Sequence, residues 1–224
     1  MGDRVDKPGY EAVLFDMDGV LIQGRATTPE VYANAADDTL AELGADVSET
    51  ERSVLRQPQF DRAMAERCRA VGIDPEEFWT VREGFASERA NRRIGSEPRT
   101  PYEDTTVLAT LSARLGVVSN NRRGTVEYVA DKLFSGRFEA AVGRDPTLEG
   151  YRQRKPDPHY IERALGQLGV ENALYVGDRG TDLLAARRAG IDGAILRRDH
   201  GQGTLEETPT LDLTGLEELR SALV

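Results

Sequence analysis

The sequence predicts an α/β chain: a doubly wound, parallel-sheet (Rossmann-like) core carrying an inserted α-helical cap. Three observations predict it. Short apolar runs at Ala12–Phe15, Leu115–Val118 and Ala173–Val176, each reaching an acid or a hydroxyl within two residues, read as strands buried on both faces. From about residue 100 onward such runs alternate with segments of helical length, which implies parallel strands joined by right-handed crossovers. Between the first run and that alternation, residues 23–99 show helix-start signals and no strand pattern.

The elements follow in order. Residues 1–9, with Gly2 and the Pro8-Gly9 turn signal, read as a loose leader. A strand at 12–15 ends in Asp16-Met17-Asp18-Gly19, where the glycine lets the backbone turn. In the cap, Thr28-Pro29-Glu30 places proline at a first helical position, and Val31, Ala35, Leu40 and Leu43 carry that helix to a stop at Gly44. Ser48-Glu49-Thr50-Glu51 has the form of a capping box, and Asp74-Pro75 starts another helix. The prolines around Glu97-Pro98-Arg99-Thr100-Pro101 suit a hinge returning to the core. Beyond it the pattern predicts a helix over 102–114, strand 115–119, helix 122–133, strand 138–142, helix 157–168, strand 173–177, helix 181–189 and strand 191–196. A short strand near Leu211–Leu213 and a helix over 215–223 complete the chain. This gives a core domain of residues 10–22 and 100–224 and a cap domain of residues 23–99.

The chemistry lies at the strand ends, the edge at which open α/β sheets bind ligands. Asp16 and Asp18, one residue apart, repel unless they do different work or share a cation. The pairing fits a nucleophile beside a proton donor: Asp16 attacks phosphorus, while Asp18 protonates the departing oxygen and later deprotonates water. Ser119 and the backbone N–H of Asn120 can donate to phosphate oxygens, and Lys155 can neutralise them as a point charge. The strand at 173–177 delivers Asp178 and, one helical turn on, Asp182. Four carboxylates against one lysine would repel a phosphate dianion, and a hard divalent cation removes the conflict. Mg²⁺ suits it, held by Asp16, Asp178, a backbone carbonyl and the substrate. Taken singly, Ser119 reads as an ordinary strand-end residue, Lys155 as a solvated loop lysine, and Asp178 or Asp182 as a helix N-terminal acid. Four such decorations at the ends of successive strands have no reason to coincide.

These motifs resemble the haloacid dehalogenase-like hydrolases, in particular phosphatase-type members with an inserted helical cap. Phe15-Asp16-Met17-Asp18-Gly19-Val20-Leu21 resembles the family's first motif, Val118-Ser119-Asn120 the second, Lys155-Pro156 the third, and Gly177-Asp178-Arg179-Gly180-Thr181-Asp182 the fourth. The resemblance covers roughly residues 10–22 and 101–197. It implies Asp16 as nucleophile, Asp18 as acid and base, phosphate contacts from Ser119 and Lys155, and magnesium held by Asp16, Asp178 and the Asp18 carbonyl. Asp182 takes a supporting role, reaching the metal through water or fixing Lys155. Gln23-Gly24-Arg25 departs from the acid and serine that many relatives carry after the first motif.

Composition narrows the partners. Lysine plus arginine number 29 and aspartate plus glutamate 39, a net charge of −10, which argues against nucleic acid. No apolar stretch of membrane-spanning length is present, the opening residues are too polar for a signal peptide, and the single Cys68 has no disulfide partner, so a cytoplasmic location is expected. Cys68 reads as a packing residue. Specificity is expected from cap arginines gripping a second anionic group, with Arg25, Arg52, Arg56, Arg89, Arg92 and Arg93 as candidates.

The expected activity is a Mg²⁺-dependent phosphatase acting on a small phosphorylated metabolite of phosphosugar or phosphoglycolate type, as a monomer or homodimer. A phosphomutase with the same residues, or a catalytically silent binding module on the same fold, is the alternative. Carbon–halogen hydrolysis is disfavoured because it leaves Asp18, Asp178 and Asp182 without a task.

Overall fold

The computed structural model of the 224-residue chain describes residues 9–24, 27–95, 99–198 and 205–223. Six strands form one sheet: β1 (Ala12–Phe15), β2 (Arg114–Arg122), β3 (Ala140–Arg144), β4 (Ala173–Gly177), β5 (Asp192–Leu196) and β6 (Leu211–Leu213). Their order is β3-β2-β1-β4-β5-β6 and every pairing is parallel. The winding reverses at β1, the switch point at which a crevice opens beyond the strand ends.

The β1 strand has no exposed residue because the sheet is covered on both faces. Val13 and Phe15 join one core with Val117 of β2, Val176 of β4 and the helix α5 (Arg123–Phe134). Ala12 and Leu14 point the other way, into a second core with Tyr175, helix α7 (His159–Leu168) and helix α8 (Gly180–Arg188). Alternate residues of one strand thus serve opposite layers.

Four helices follow β1 before the chain returns to the sheet: α1 (Pro29–Glu42), α2 (Glu49–Leu55), α3 (Arg62–Ala70) and α4 (Pro75–Asn91). The start signals act as expected. Ser48 and Glu51 form a reciprocal capping box, and Asp74 accepts the N–H groups of Glu76 and Glu77 at 2.9 and 3.0 Å. The sequence did not mark the start of α3, where the Asp61 carboxylate caps the Met64 N–H at 2.8 Å. The insert has its own core around Leu40, Leu55, Met64, Cys68, Phe78 and Trp79. Burial there pushes the Cys68 thiol up to about 11. At pH 8 its thiolate is scarcer by about 100-fold than with an ordinary thiol pKa. A disulfide reagent such as Ellman's is therefore expected to leave Cys68 untouched in native protein and to react quickly in guanidinium, and fast native labelling would contradict the packing.

Four boundaries differ from expectation. The predicted helix over 102–114 is a 3₁₀ segment, Glu103–Thr110, followed directly by strand. It is rich in threonine, and Thr105, Thr106 and Thr110 each donate a hydroxyl hydrogen to the carbonyl three residues back, which competes with a regular α-helix. The predicted strand at 115–119 continues to Arg122, because Arg122 re-pairs with Arg144 after a register shift beyond Ser119. The predicted strand at 138–142 lies instead at 140–144 and the helix over 215–223 breaks into a 3₁₀ turn and the short helix α9 (Leu219–Ala222). An unpredicted helix, α6 (Leu148–Arg152), caps on Thr147 and docks against the insert. Its Leu148 N–H donates to Glu76, and Tyr151 packs edge-on against Trp79 with ring centres 4.8 Å apart.

Candidate active site

Register brings the strand ends together. Phe15 lies opposite Val117 on one side and Val176 on the other, so Asp16 emerges between the ends of β2 and β4. The Asp16 N–H donates to the Val176 carbonyl at 2.9 Å, which fixes its backbone as a continuation of the ladder. Asp16, Asp18, Ser119, Asn120, Lys155 and Asp182 line one cavity of about 180 Å³, to which the insert contributes Tyr32, Pro58 and Gln59.

Lys155 is at the centre of this cluster and is nearly fully buried. Its Nζ lies 2.9 Å from Asp16 Oδ1 and 2.6 Å from Asp182 Oδ1. It also donates to the Tyr175 hydroxyl at 2.5 Å, and that hydroxyl in turn donates to the Val118 carbonyl at 2.7 Å. Burial by itself would lower the ammonium pKa, but Asp16 and Asp182 outweigh it and hold Lys155 well above the ordinary lysine value. Its main chain is held by Asn120, whose side-chain oxygen accepts the Lys155 N–H at 2.8 Å while its amide donates to the Lys155 carbonyl at 3.1 Å.

Asp182 has both oxygens occupied. Besides Lys155, it accepts the Arg179 N–H at 3.1 Å, capping its own helix. Burial raises its carboxyl to about 6, with Lys155 opposing the shift and Asp16 adding to it. The close fit depends on Gly177, since a Cβ there would fall 2.3 Å from Asp182 Cβ. Of the two supporting routes expected for Asp182, a direct contact with Lys155 is present. Oxygens of Asp16, Asp178 and Asp182 lie within 4.8 Å of one another, a spacing that one hard cation with oxygen ligands can span.

The Asp18 side chain lines the same cavity but has different partners. Its Oδ1 accepts from Arg99 at 2.5 Å and its Oδ2 from the Asn121 amide at 3.0 Å. Burial raises the Asp18 carboxyl above the ordinary range, Arg99 and Asn121 pull it down, and Asp16 adds to the rise. Arg99 also donates to the Gln23 and Gly24 carbonyls, both at 3.4 Å, so a residue of the returning linker joins the departing one to this acid. Neither Arg99 nor Asn121 was singled out from sequence. Asn121 follows Ser119-Asn120 and could have been found by extending that motif, whereas nothing local marks Arg99.

Four of the six arginines expected to face substrate, Arg52, Arg56, Arg89 and Arg93, have other partners. Arg52 and Arg56 both pair with Asp37, at 3.1 and 2.8 Å, and Arg89 pairs with Asp38 at 2.6 Å. Arg93 donates to the Thr28 hydroxyl, Arg92 is not among the cavity-lining residues, and Arg25 lies outside the described residues. The arginines that line the cavity are instead Arg144 at the end of β3, Arg154 and Arg179, and Arg144 is buried with Arg82 of α4 and Arg122 at the end of β2 around Glu83.

Comparison with known proteins agrees with this architecture. The family model described as haloacid dehalogenase-like hydrolase matches residues 10–190. Phosphoglycolate phosphatase 1 of Pseudomonas aeruginosa is 31% identical over 220 residues, covering 92% of this chain and 77% of that protein. The pyrophosphatase PpaX of Bacillus velezensis is 28% identical over 195 residues, covering 82% and 81%. The crystal structure of CbbY from Rhodobacter sphaeroides in complex with phosphate shares the fold, with a TM-score of 0.63 at 22% identity over 96% of this chain and 99% of that one. The strand order, the sequence motifs and the family match agree, and the chain belongs to the haloacid dehalogenase-like hydrolases.

Proposed function

We propose that this chain is a Mg²⁺-dependent phosphatase that hydrolyses a small phosphorylated metabolite, of phosphosugar or phosphoglycolate type, through an aspartyl-phosphate. The chain is a phosphoric monoester hydrolase, and its phosphatase-named relatives support a small phosphorylated substrate. The observation that carries the finer reading is Lys155 Nζ bridging Asp16 and Asp182 on the wall of the cavity, with Asp178 alongside.

In the proposed reaction an Asp16 oxygen attacks phosphorus and the bond to the leaving-group oxygen breaks. Asp18 gives that oxygen its proton, a role suited to a buried carboxyl with a raised pKa. Asp18 then takes a proton from water as the water oxygen attacks the same phosphorus, releasing inorganic phosphate and restoring Asp16. Ser119 and the backbone N–H of Asn120 hold the phosphoryl oxygens, Lys155 neutralises them, and Asp182 positions Lys155. Held by Asp16, Asp178 and the Asp18 carbonyl, Mg²⁺ would supply the charge neutralisation that one lysine among so many carboxylates cannot. Asp182 is the less available of the clustered acids, because Lys155 and the Arg179 N–H already engage it.

We assign residues 10–22 and 100–224 to the catalytic core and 23–99 to a cap that excludes water from the cavity. Among the described residues no helix is long and apolar enough to cross a membrane. The test is hydrolysis of p-nitrophenyl phosphate. Turnover with Mg²⁺, loss by at least about 100-fold in EDTA and recovery on adding Mg²⁺ back are expected, as for a metal stabilising transition-state charge. Equal rates in EDTA would refute the metal requirement.

A further inference from the structure

We infer that the cavity contains a second anion subsite centred on Arg144, which makes the preferred substrate a phosphate monoester bearing a further anionic group, a carboxylate or a second phosphate. This rests on the phosphatase reading and specifies its substrate class.

Arg82, Arg122 and Arg144 are 0, 2 and 4% exposed, and all three meet a single carboxylate, Glu83, itself 1% exposed. Their nitrogens lie 3.7, 3.1 and 2.5 Å from Glu83 oxygens. Among the described residues no other acid has a contact with any of the three, so a surplus of positive charge is buried beside the cavity. Neutral groups take up only some of the remaining contacts, and Arg82 Nε and Arg122 Nη2 have no hydrogen-bond partner. Arg82 donates to the Gln57 and Pro58 carbonyls, Arg122 contacts Thr27, and their guanidiniums lie 5.6 and 4.7 Å from the centre of the Tyr32 ring. Buried cations without matching anions are costly, and a purely structural cluster would be served as well by apolar side chains.

Geometry then shows where the missing anion belongs. Arg144 is the member of the cluster that lines the cavity, with Tyr32 and Tyr151 alongside it. Its Nε donates to the Asn120 carbonyl at 3.0 Å and its Nη2 meets Glu83, whereas its Nη1 is buried and has no hydrogen-bond partner. Asn120 is also the residue whose side chain holds the Lys155 main chain. One residue therefore ties the subsite arginine to the phosphate lysine. A planar, always-charged donor, pre-aimed by Glu83 and Asn120 with one nitrogen free, is suited to a carboxylate or phosphate oxygen. Substrate would bring the negative charge that the resting cluster lacks.

The competing possibility is that Arg144 grips the reacting phosphoryl group itself, and matched esters separate the two. Phosphoglycolate and ethyl phosphate differ by a carboxylate in place of a methyl, and a short-chain bisphosphate provides the phosphate arm. The wild-type enzyme is expected to favour phosphoglycolate or the bisphosphate over ethyl phosphate by at least about 100-fold in kcat/KM, the size of one buried charge-assisted pair. Whichever of the two is preferred identifies the second group. Arg144→Gln should cut that preference at least tenfold, with Arg144→Lys recovering part of it and Arg89→Gln, in a surface ion pair, leaving it unchanged. Equal losses on all esters, or no wild-type preference, would overturn the subsite. Calorimetric titration of Asp16→Asn protein with phosphoglycolate and ethyl phosphate reads the same preference without turnover. A wild type that hydrolyses no ester would then refute the phosphatase reading alone, and the titration would still decide the subsite.

Discussion

Asp16→Asn is expected to lower kcat by at least about 10⁴-fold while shifting the melting temperature by only a few degrees, because it removes a nucleophile without removing volume. The two halves of this expectation have separate physical origins. The activity loss follows from chemistry, since an amide oxygen so close to Lys155 cannot form the acyl phosphate. The small stability effect follows from charge. Asp16 contributes an ion pair to Lys155 at 2.9 Å, but it also repels Asp178 and Asp182 within the same cluster. Losing both largely cancels, and Lys155 keeps its 2.6 Å partner Asp182. Steady-state kinetics on p-nitrophenyl phosphate with a parallel thermal melt check it. Retention of more than a tenth of the activity would remove Asp16 from the chemistry.

Lys155→Met should damage both properties. Methionine has a similar reach and no charge, so Asp16 and Asp182 would be left buried without their shared cation, at a cost of roughly 3–5 kcal/mol. Asp182, already raised to about 6 by burial with Lys155 opposing, would lose the neighbour that lowers it and take up a proton more readily. The sign follows. An acid whose folded pKa lies above its unfolded value stabilises the fold at low pH and loses that contribution as pH rises through the folded value. The variant is therefore expected to be most deficient near neutrality and to recover toward pH 5. Activity should fall by about 10²–10³-fold at all pH values, the loss typical of removing one preorganised charge from a transition state. Denaturant melts at pH 5 and pH 7.5, with kinetics at both, check this. A variant as stable as wild type at pH 7.5 would contradict the burial argument.

Where information is local, the fold was legible in the sequence, and so were the residues that meet in the candidate site. Runs such as Ala12–Phe15 and Ala173–Val176 are fully buried strands because both faces are covered, and continuous apolarity signals that. Asp16, Asp178, Asp182 and Lys155 stand at strand ends or helix starts, which short patterns mark well, and in the structure they meet. The N-terminal boundaries of α1, α2 and α4 were legible because their caps are short-range hydrogen bonds or a proline at the first turn.

What was not legible depends on tertiary partners. Arg52 and Arg56, expected to face substrate, are both claimed by Asp37 on another helix. Arg82, Arg122 and Arg144 come from three separate elements: β2 runs on to Arg122 and pairs it with Arg144, and α4 brings Arg82 and Glu83 to them. Local propensity would not assign an arginine to the buried end of a strand. Arg99 is similar, an unremarkable linker residue until the fold sets its guanidinium on Asp18. The single-turn helix α6 was missed because five residues carry no periodicity, although its packing on Trp79 joins insert and core.

In the proposed reaction Asp16 carries the phosphoryl group during turnover, and chemical trapping tests this most directly. The enzyme is quenched in acid during steady-state hydrolysis with Mg²⁺, reduced with borohydride and digested, and the peptides are read by mass spectrometry. An acyl phosphate at residue 16 should appear as homoserine at that position, in amounts that rise with substrate and vanish in EDTA. Robust turnover with residue 16 recovered only as unmodified aspartate, or reduction at a different carboxylate, would contradict it.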